Sequence, residues 1–430
     1  MMHVDLLHPA DQLVMIMQRI YSCGMTTTSG GNLSIRDENG DIWITPTGID
    51  KGSLTREDIV RVSPSGETFG PHQPSVELPF HREIYRLRPD LRAILHAHPP
   101  TLVAFSLARR IPDIRLTPDV RRICGDVAMA AYDVPGSRQL GVNIARRFAE
   151  GYQTVVMENH GCVCGARDLF GAFMAFETLD FCGRMELYAR KLGAPRPLTP
   201  EQLSRACGAE GLQADALPAA AASSRERALR RDLCGMIHRA YDQRLCTSAQ
   251  GAFSQRLSGE SFLMTPHRKD RRYLDVADLV RVENGRCEAG KTPGGSAPLH
   301  QAIYRAHPDV QAVIVAHAPA VMAFAVTGAA FDSRIIPESY IQLRDVRRVP
   351  YDVLLEDPAA VAALFSARTP VLLVDNACAV VTGPSLLGAF DRLEVLEYSA
   401  QAILAARDVG PLVMIDDRQV RDIEEAFHLD

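Results

Sequence analysis

Apolar and polar positions alternate through NLSIRDENGDIWITP, from Asn32 to Pro46, on either side of Asn39-Gly40. That dipeptide is favoured in type I′ turns, so the pattern predicts a β-hairpin. Ser258-Gly259 marks the same turn in a second alternating stretch. In VELPFHREIYRLRP the spacing of Phe80, Ile84 and Leu87 predicts a helix that faces a sheet and ends before Pro89. RAILHAHPP then predicts a short strand stopped by two prolines, and QTVVMENHG another stopped by Gly161. LFGAFMAFETLDFCGRMELYARKLG predicts a long helix with Gly193 as its stop. At the amino terminus MMHVDLLHPADQLVMIMQRIY predicts an amphipathic helix. Strands alternating with helices in this way predict an α/β layered architecture.

The pattern occurs twice. PFHREIYRLRPDLRAILHAHPPTLVAFS, from Pro79, matches PLHQAIYRAHPDVQAVIVAHAPAVMAFA, from Pro298, without a gap. The register extends both ways: TSGGNLSIRDENGDIWITP pairs with SAQGAFSQRLSGESFLMTP, VVMENHGCVCG with LLVDNACAVVTG, and the two long helices with each other. A unit of about 200 residues is therefore duplicated in tandem. Between the copies lies GAPRPLTPEQLSRACGAEGLQADALPAAAASSRE, rich in Ala, Pro, Gly and Ser, which predicts a linker or loosely packed connector.

Composition narrows the chemistry. The 430 residues carry 47 basic and 52 acidic side chains, a balance that excludes the electrostatic footprint of a nucleic-acid binder. No apolar run approaches the roughly 20 residues needed to cross a bilayer. The amino terminus has no Lys or Arg ahead of its apolar stretch and makes a poor signal peptide. With ten cysteines and no export signal, the expectation is reduced thiols, a cytoplasmic protein and a small-molecule substrate. Cys162 and Cys164 form a CxC whose expected role is that of buried small hydrophobes.

His96-Ala97-His98 is the most informative triplet. On a strand, residues i and i+2 share a face about 6.5 to 7 Å apart, so two imidazoles can converge on one metal. Glu77 and His160 each stand where an element meets a loop, where functional side chains are commonly held. Three neutral imidazoles and a carboxylate suit Zn²⁺ or another borderline divalent ion. The second copy is an internal control. It places Ser296, Val315 and Ala377 opposite Glu77, His96 and His160, and keeps only His317 opposite His98. His81 is kept as His300 and is therefore assigned to packing or capping. Ser29-Gly30-Gly31-Asn32 and Thr45-Pro46-Thr47-Gly48 can cradle a phosphate or carboxylate through backbone N–H groups, or can simply serve turns of positive φ. The second copy breaks both, with Ala252 opposite Asn32 and His267-Arg268 opposite Thr47-Gly48.

Through SGGNLSIR, ITPTGI, PSVELPFH, HAHPP and ENHG, in order and spacing, residues 8–192 resemble the class II aldolase/adducin family. Residues 228–408 resemble a degenerate member. The resemblance implies two tandem three-layer α/β/α domains, each on a central, largely antiparallel sheet: 1–195 with an intact metal site, a linker 196–225, and 226–430 without the site. Carried over by position, it implies Glu77, His96, His98 and His160 as ligands of Zn²⁺, or of Mn²⁺ or Co²⁺ in its place, with Glu77 also the acid/base. It implies phosphate contacts at Gly31, Asn32, Thr47, Gly48, Ser75 and Val76, where Val76 replaces a frequent Ser. The family's tyrosine from a neighbouring subunit finds no match in IRLTPDVRRICGD, which offers Asp119, Arg121 and Arg122. The implied activity is an aldolase that cleaves or forms a carbon-carbon bond in a ketose phosphate through a metal-stabilised enediolate. A 4-epimerase or sugar-acid phosphate decarboxylase would use the same groups, and a non-catalytic adducin-like scaffold is the alternative of another class. The implied assembly is a homo-oligomer, two tandem chains forming a pseudo-tetramer.

Overall fold

The computed structural model describes residues 6–207, 215–218 and 221–429. Its two compact units comprise residues 2–114 with 120–183, and residues 115–119 with 184–430. The first repeat carries α1 (Pro9–Ser22), β1 (Asn32–Arg36), β2 (Ile42–Ile44), β3 (Val60–Val62), β4 (Thr68–Phe69), α2 (Leu78–Leu87) and β5 (Ala93–Ala97). It continues with α3 (Pro100–Leu107), α4 (Pro118–Cys124), β6 (Val127–Ala130), α5 (Arg138–Ala149), β7 (Thr154–Met157), β8 (Cys162–Ala166) and α6 (Leu169–Leu192). Its eight strands run in the order β4-β3-β2-β1-β5-β8-β7-β6 and are antiparallel except for β6 with β7. Central strand β5 is buried at every residue, which requires cover on both faces of the sheet. One cover is α2 and α5, whose Phe80, Ile84, Leu140, Ile144 and Phe148 join Ile94, Val155 and Val163 in one core. On α1, Leu13, Ile16, Met17 and Ile20 are fully buried, a stripe at helical spacing.

The second repeat repeats this plan on nine strands, β9 (Ala216–Leu217), β10 (Ala252–Ser258), β11 (Ser261–Met264), β12 (Val280–Glu283), β13 (Arg286–Glu288), β14 (Ala312–Ala316), β15 (Val346–Val349), β16 (Val371–Val374) and β17 (Cys378–Gly383). Their order is β15-β16-β17-β14-β10-β11-β12-β13-β9. Among the described residues, only β15 with β16 and β13 with β9 are parallel. Both repeats are thus mixed α/β domains, as the pattern predicts, on the largely antiparallel sheets that the resemblance implies.

Two local expectations change. The first hairpin is not closed by a two-residue type I′ turn: its last paired residues are Arg36 and Ile42, and within the loop only Gly40 has positive φ, at 85°. The Asp37 carboxylate wins instead, accepting from the Asn39 and Asp41 amides and from Trp43 Nε1, which widens the loop. The second hairpin does close in two residues, Gly259-Glu260, between paired Ser258 and Ser261. Second, the expected linker 196–225 carries α7 (Pro200–Cys207) and β9, and its Leu198 is buried in the second repeat's core.

Candidate metal centre and active site

Four segments bring the predicted ligands together. His96 is the penultimate residue of β5, paired with Asn32 on one side and Val163 on the other. His98 lies just past the strand, ahead of the prolines that open α3. His160 sits in the β7–β8 turn, where Asn159 takes a left-handed φ of 52° and Met157 N donates to Gly161 O. The three rings approach with centroids 4.6 Å (His96–His98), 4.9 Å (His96–His160) and 5.1 Å (His98–His160) apart. One nitrogen from each lies within 4.8 Å of the others.

Glu77 caps α2 by position but makes no capping hydrogen bond. Its carboxylate turns to the histidines instead, with Oε2 3.3 Å from His96 Nε2 and Oε1 3.7 Å from His160 Nε2. Glu77 Oε1, His96 Nε2, His98 Nε2 and His160 Nδ1 are buried and have no hydrogen-bond partner. Buried lone-pair atoms left without a hydrogen bond are what a chelating set supplies, since leaving them unsatisfied is costly. The hydrogen bond from His96 Nδ1 to Cys162 O at 3.0 Å fixes the tautomer that leaves Nε2 free to ligate. Burial pushes the His96 and His98 imidazoles down to about 3, and lowers His160 as well, so all three are neutral at pH 7. The donor set therefore fits a divalent metal.

Two glycines make room for the rings. A Cβ on Gly30 would lie 2.9 Å from His98 Nδ1, and one on Gly161 would lie 2.7 Å from His98 Cδ2 and 3.3 Å from His96 Cε1. The CxC is no part of the cluster. Cys162 and Cys164 are fully buried, and the Cys164 contact with burial pushes the Cys162 thiol up, away from the thiolate form that ligates.

The positions implied for phosphate lie on loops that pair with one another. Thr47 N donates to Gln73 O, and Ser75 N to Thr45 O. Thr45 N in turn donates to Leu33 O, next to Asn32. Gly31 has φ 73°, and a Cβ there would meet His96 O at 2.8 Å, so only glycine fits. Gly48 is exposed with φ 70°. Ser75 Oγ accepts from Glu77 N, and Val76 is 62% exposed beside it. Asn32 Nδ2 donates to Glu77 Oε2 at 2.6 Å, a link the sequence reading lacked.

Two further residues bear on these loops and on Asn32. Lys51 is buried, with its Nζ donating to Pro46 O at 2.5 Å inside the Thr45–Gly48 loop. Its only sequence signal is position, next to a candidate loop. His81, read as packing, joins Asn32 at 2.6 Å. In the second repeat His317 Nε2 lies 3.8 Å from Asp119 Oδ2, so this residue of the arginine-rich stretch faces the one retained histidine.

Residues 11–187 and again 231–404 match the family described as Class II Aldolase and Adducin N-terminal domain. A 5-deoxy-D-ribulose 1-phosphate aldolase of Bacillus thuringiensis is 29% identical over 45% of this chain and 91% of its own. A 3-oxo-tetronate 4-phosphate decarboxylase of Pectobacterium atrosepticum is 34% identical over 39% of this chain and 79% of its own. Among solved structures, an L-fuculose 1-phosphate aldolase is 30% identical, with 46% of this chain and 93% of that one covered and a TM-score of 0.43. With both repeats matched across most of its length, the chain belongs to the class II aldolase and adducin N-terminal domain family.

Proposed function

We propose that the first repeat is a zinc-dependent aldolase that cleaves or forms a carbon-carbon bond in a ketose phosphate or related sugar derivative. The observation that carries this is the convergence of one nitrogen each from His96, His98 and His160 within 4.8 Å of one another, with the Glu77 carboxylate 3.3 Å from His96 Nε2 and 3.7 Å from His160 Nε2. Glu77, His96, His98 and His160 would hold the ion, and three imidazoles with one carboxylate favour Zn²⁺, with Mn²⁺ or Co²⁺ as replacements. Bound there, it would supply Lewis-acid polarisation of a substrate carbonyl.

The chain's own residues do the rest. Glu77 is the acid/base: Oε2 is held by Asn32, and Oε1 is the oxygen that takes and returns a proton. Gly31, Asn32, Thr47, Gly48, Ser75 and Val76 line the paired loops and would receive the phosphate through backbone N–H and side-chain donors. The exposed Val76 side chain adds an apolar contact in place of a hydroxyl donor. The second repeat, with Ser296, Val315 and Ala377 at three of the four ligand positions, lacks this donor set. Among the described residues no helix is long and apolar enough to cross a membrane, and we place the protein in the cytoplasm.

The test is zinc content of the purified full chain, then aldehyde release from a panel of ketose 1-phosphates, with Glu77→Gln as the inactive control. A metal-free chain that stays inert when zinc is added would sink the proposal. The decarboxylase relative at 34% identity favours a second reading on the same residues. Including 3-oxo acid phosphates in the panel, with CO₂ as the readout, separates the two.

A further inference from the structure

Glu77 is held at one end of a buried side-chain chain. Asn32 Nδ2 donates to Glu77 Oε2 at 2.6 Å. Asn32 Oδ1 is 2.6 Å from His81 Nε2, His81 Nδ1 is 2.7 Å from Ser34 Oγ, and Ser34 Oγ is 2.9 Å from Tyr85 Oη. All five side chains are buried, Ser34 and His81 completely.

A carboxylate only accepts, so the polarity of the chain is set from its Glu77 end. Asn32 must offer its NH₂ to Glu77 and its carbonyl to His81. His81 must then carry its proton on Nε2 to donate to that carbonyl, and its bare Nδ1 accepts from the Ser34 hydroxyl. Were Asn32 to turn over, its carbonyl would face the carboxylate and its NH₂ would face the Nε2–H, two like contacts in a dry site.

We infer that His81, acting through Asn32, is a positioning residue for Glu77: the chain pins Oε2 and leaves Oε1 as the oxygen available to metal and proton. Asn32 is then chiefly the grip on Glu77, with only its second amide hydrogen left for a ligand. The inference rests on the proposed function in one respect, that Glu77 serves the metal centre.

The second repeat separates anchor from load. Ser254 Oγ meets His300 Nδ1 at 2.6 Å and Tyr304 Oη at 2.7 Å, so the Ser-His-Tyr anchor is kept. There the chain stops. His300 Nε2 and Ser296 Oγ have no partner, because Ala252 occupies the Asn32 register and Ser296 the Glu77 position. The anchor belongs to the scaffold, and the Asn-Glu extension is lost together with the ligands. His81→Leu and His300→Leu are therefore a matched pair, the same anchor with and without a carboxylate to hold.

In the full chain, zinc affinity is measured by competition with a chromophoric chelator and stability by denaturant unfolding. We expect His81→Leu and Asn32→Ala each to weaken zinc about 10- to 100-fold, the loss typical of groups that orient ligands. The double variant should lose no more than either single one, since both act through one oxygen. His81→Gln, which keeps a donor toward Asn32, should recover most of the affinity. His300→Leu should destabilise like His81→Leu yet bind zinc as wild type does. Unchanged zinc affinity in His81→Leu, additive losses in the double variant, or equal weakening by His300→Leu would overturn the inference. Asn32→Ala guards against misfolding, because the second repeat already accommodates Ala at that register. A wild-type chain that binds no zinc overturns the proposed function and this inference with it, whereas normal binding in both wild type and His81→Leu overturns this inference alone.

Discussion

Adding one methyl group at Gly161 should disable the metal centre without touching a ligand. A Cβ there would lie 2.5 Å from Ala97 O, 2.7 Å from His98 Cδ2 and 3.3 Å from His96 Cε1. Ordinary contacts are about 3.3 to 3.6 Å to oxygen and 3.5 to 4.0 Å between carbons, so relief demands displacements near 0.8 Å. Ala97 O belongs to the β5–β8 ladder, where Ala97 pairs with Cys162, and cannot yield that far alone. The His98 ring must move, by several times the roughly 0.2 Å that metal-ligand distances tolerate. Overpacking of this kind costs about 1 to 3 kcal/mol of stability. Zinc affinity should fall about 100-fold or more, since the displacement strikes a ligand directly rather than a group behind it. Chelator competition on Gly161→Ala, with unfolding in urea alongside, checks both numbers. Gly24→Ala is the control: φ is 64° with nothing within 4 Å, so it costs only about 1 to 2 kcal/mol of left-handed strain and should leave zinc binding intact. Wild-type affinity in Gly161→Ala would refute the placement of His98 as a ligand.

Zinc at 100 times its dissociation constant should stabilise the chain by about 2.7 kcal/mol, seen as a rise in unfolding midpoint that chelator reverses. His96→Ala or His160→Ala should abolish that rise, and His317→Ala should not. Burial holds His300 down at about 3 from an ordinary 6.5, so its contribution to stability is present above pH 6.5 and lost as pH falls toward 3. Comparing urea unfolding of wild type and His300→Leu between pH 4 and 6 should show a difference that changes by up to about 1.4 kcal/mol per pH unit; parallel curves would contradict it. A dimer of tandem chains predicts a light-scattering mass twice 47.2 kDa, and a mass of one chain with activity intact would rule it out.

What could be read from sequence and what could not divides along sequence separation. The hairpins, the helix at Phe80 and the HxH strand are local, set by periods of two and 3.6, and they stand where expected. The repeat extended that reach by showing which residues change together. Contacts decided by groups far apart in the chain escaped. Asn32 and Glu77 are 45 positions apart, His81 and Asn32 are 49, and no periodicity links them. The Asn39-Gly40 turn failed for a local reason, a neighbouring aspartate that competes for the same amides. The supposed linker failed because its sparse apolar residues, Leu198 and Leu217 among them, are buried individually rather than as a stripe.

The duplication also separates glycines whose left-handed backbone is kept from glycines that are replaced. A Cβ at Gly30 would meet the His98 ring at 2.9 Å, and one at Gly161 would meet Ala97 O at 2.5 Å and the His98 ring at 2.7 Å. In the second repeat these positions are Gln250 and Cys378, although the His98 ring is kept as His317. Gly31 faces a different constraint. Its φ of 73° and the His96 backbone carbonyl, not a ring, exclude a side chain, and its counterpart Gly251 remains glycine with φ 100°. The left-handed Asn159 likewise persists as Asn376, with φ 54°. Left-handed backbone positions survived the loss of the metal ligands, whereas Gly30 and Gly161, neither of positive φ, did not. The second repeat therefore retains the fold by the same local physics as the first, and the substitutions that separate them follow the outline of the proposed metal centre.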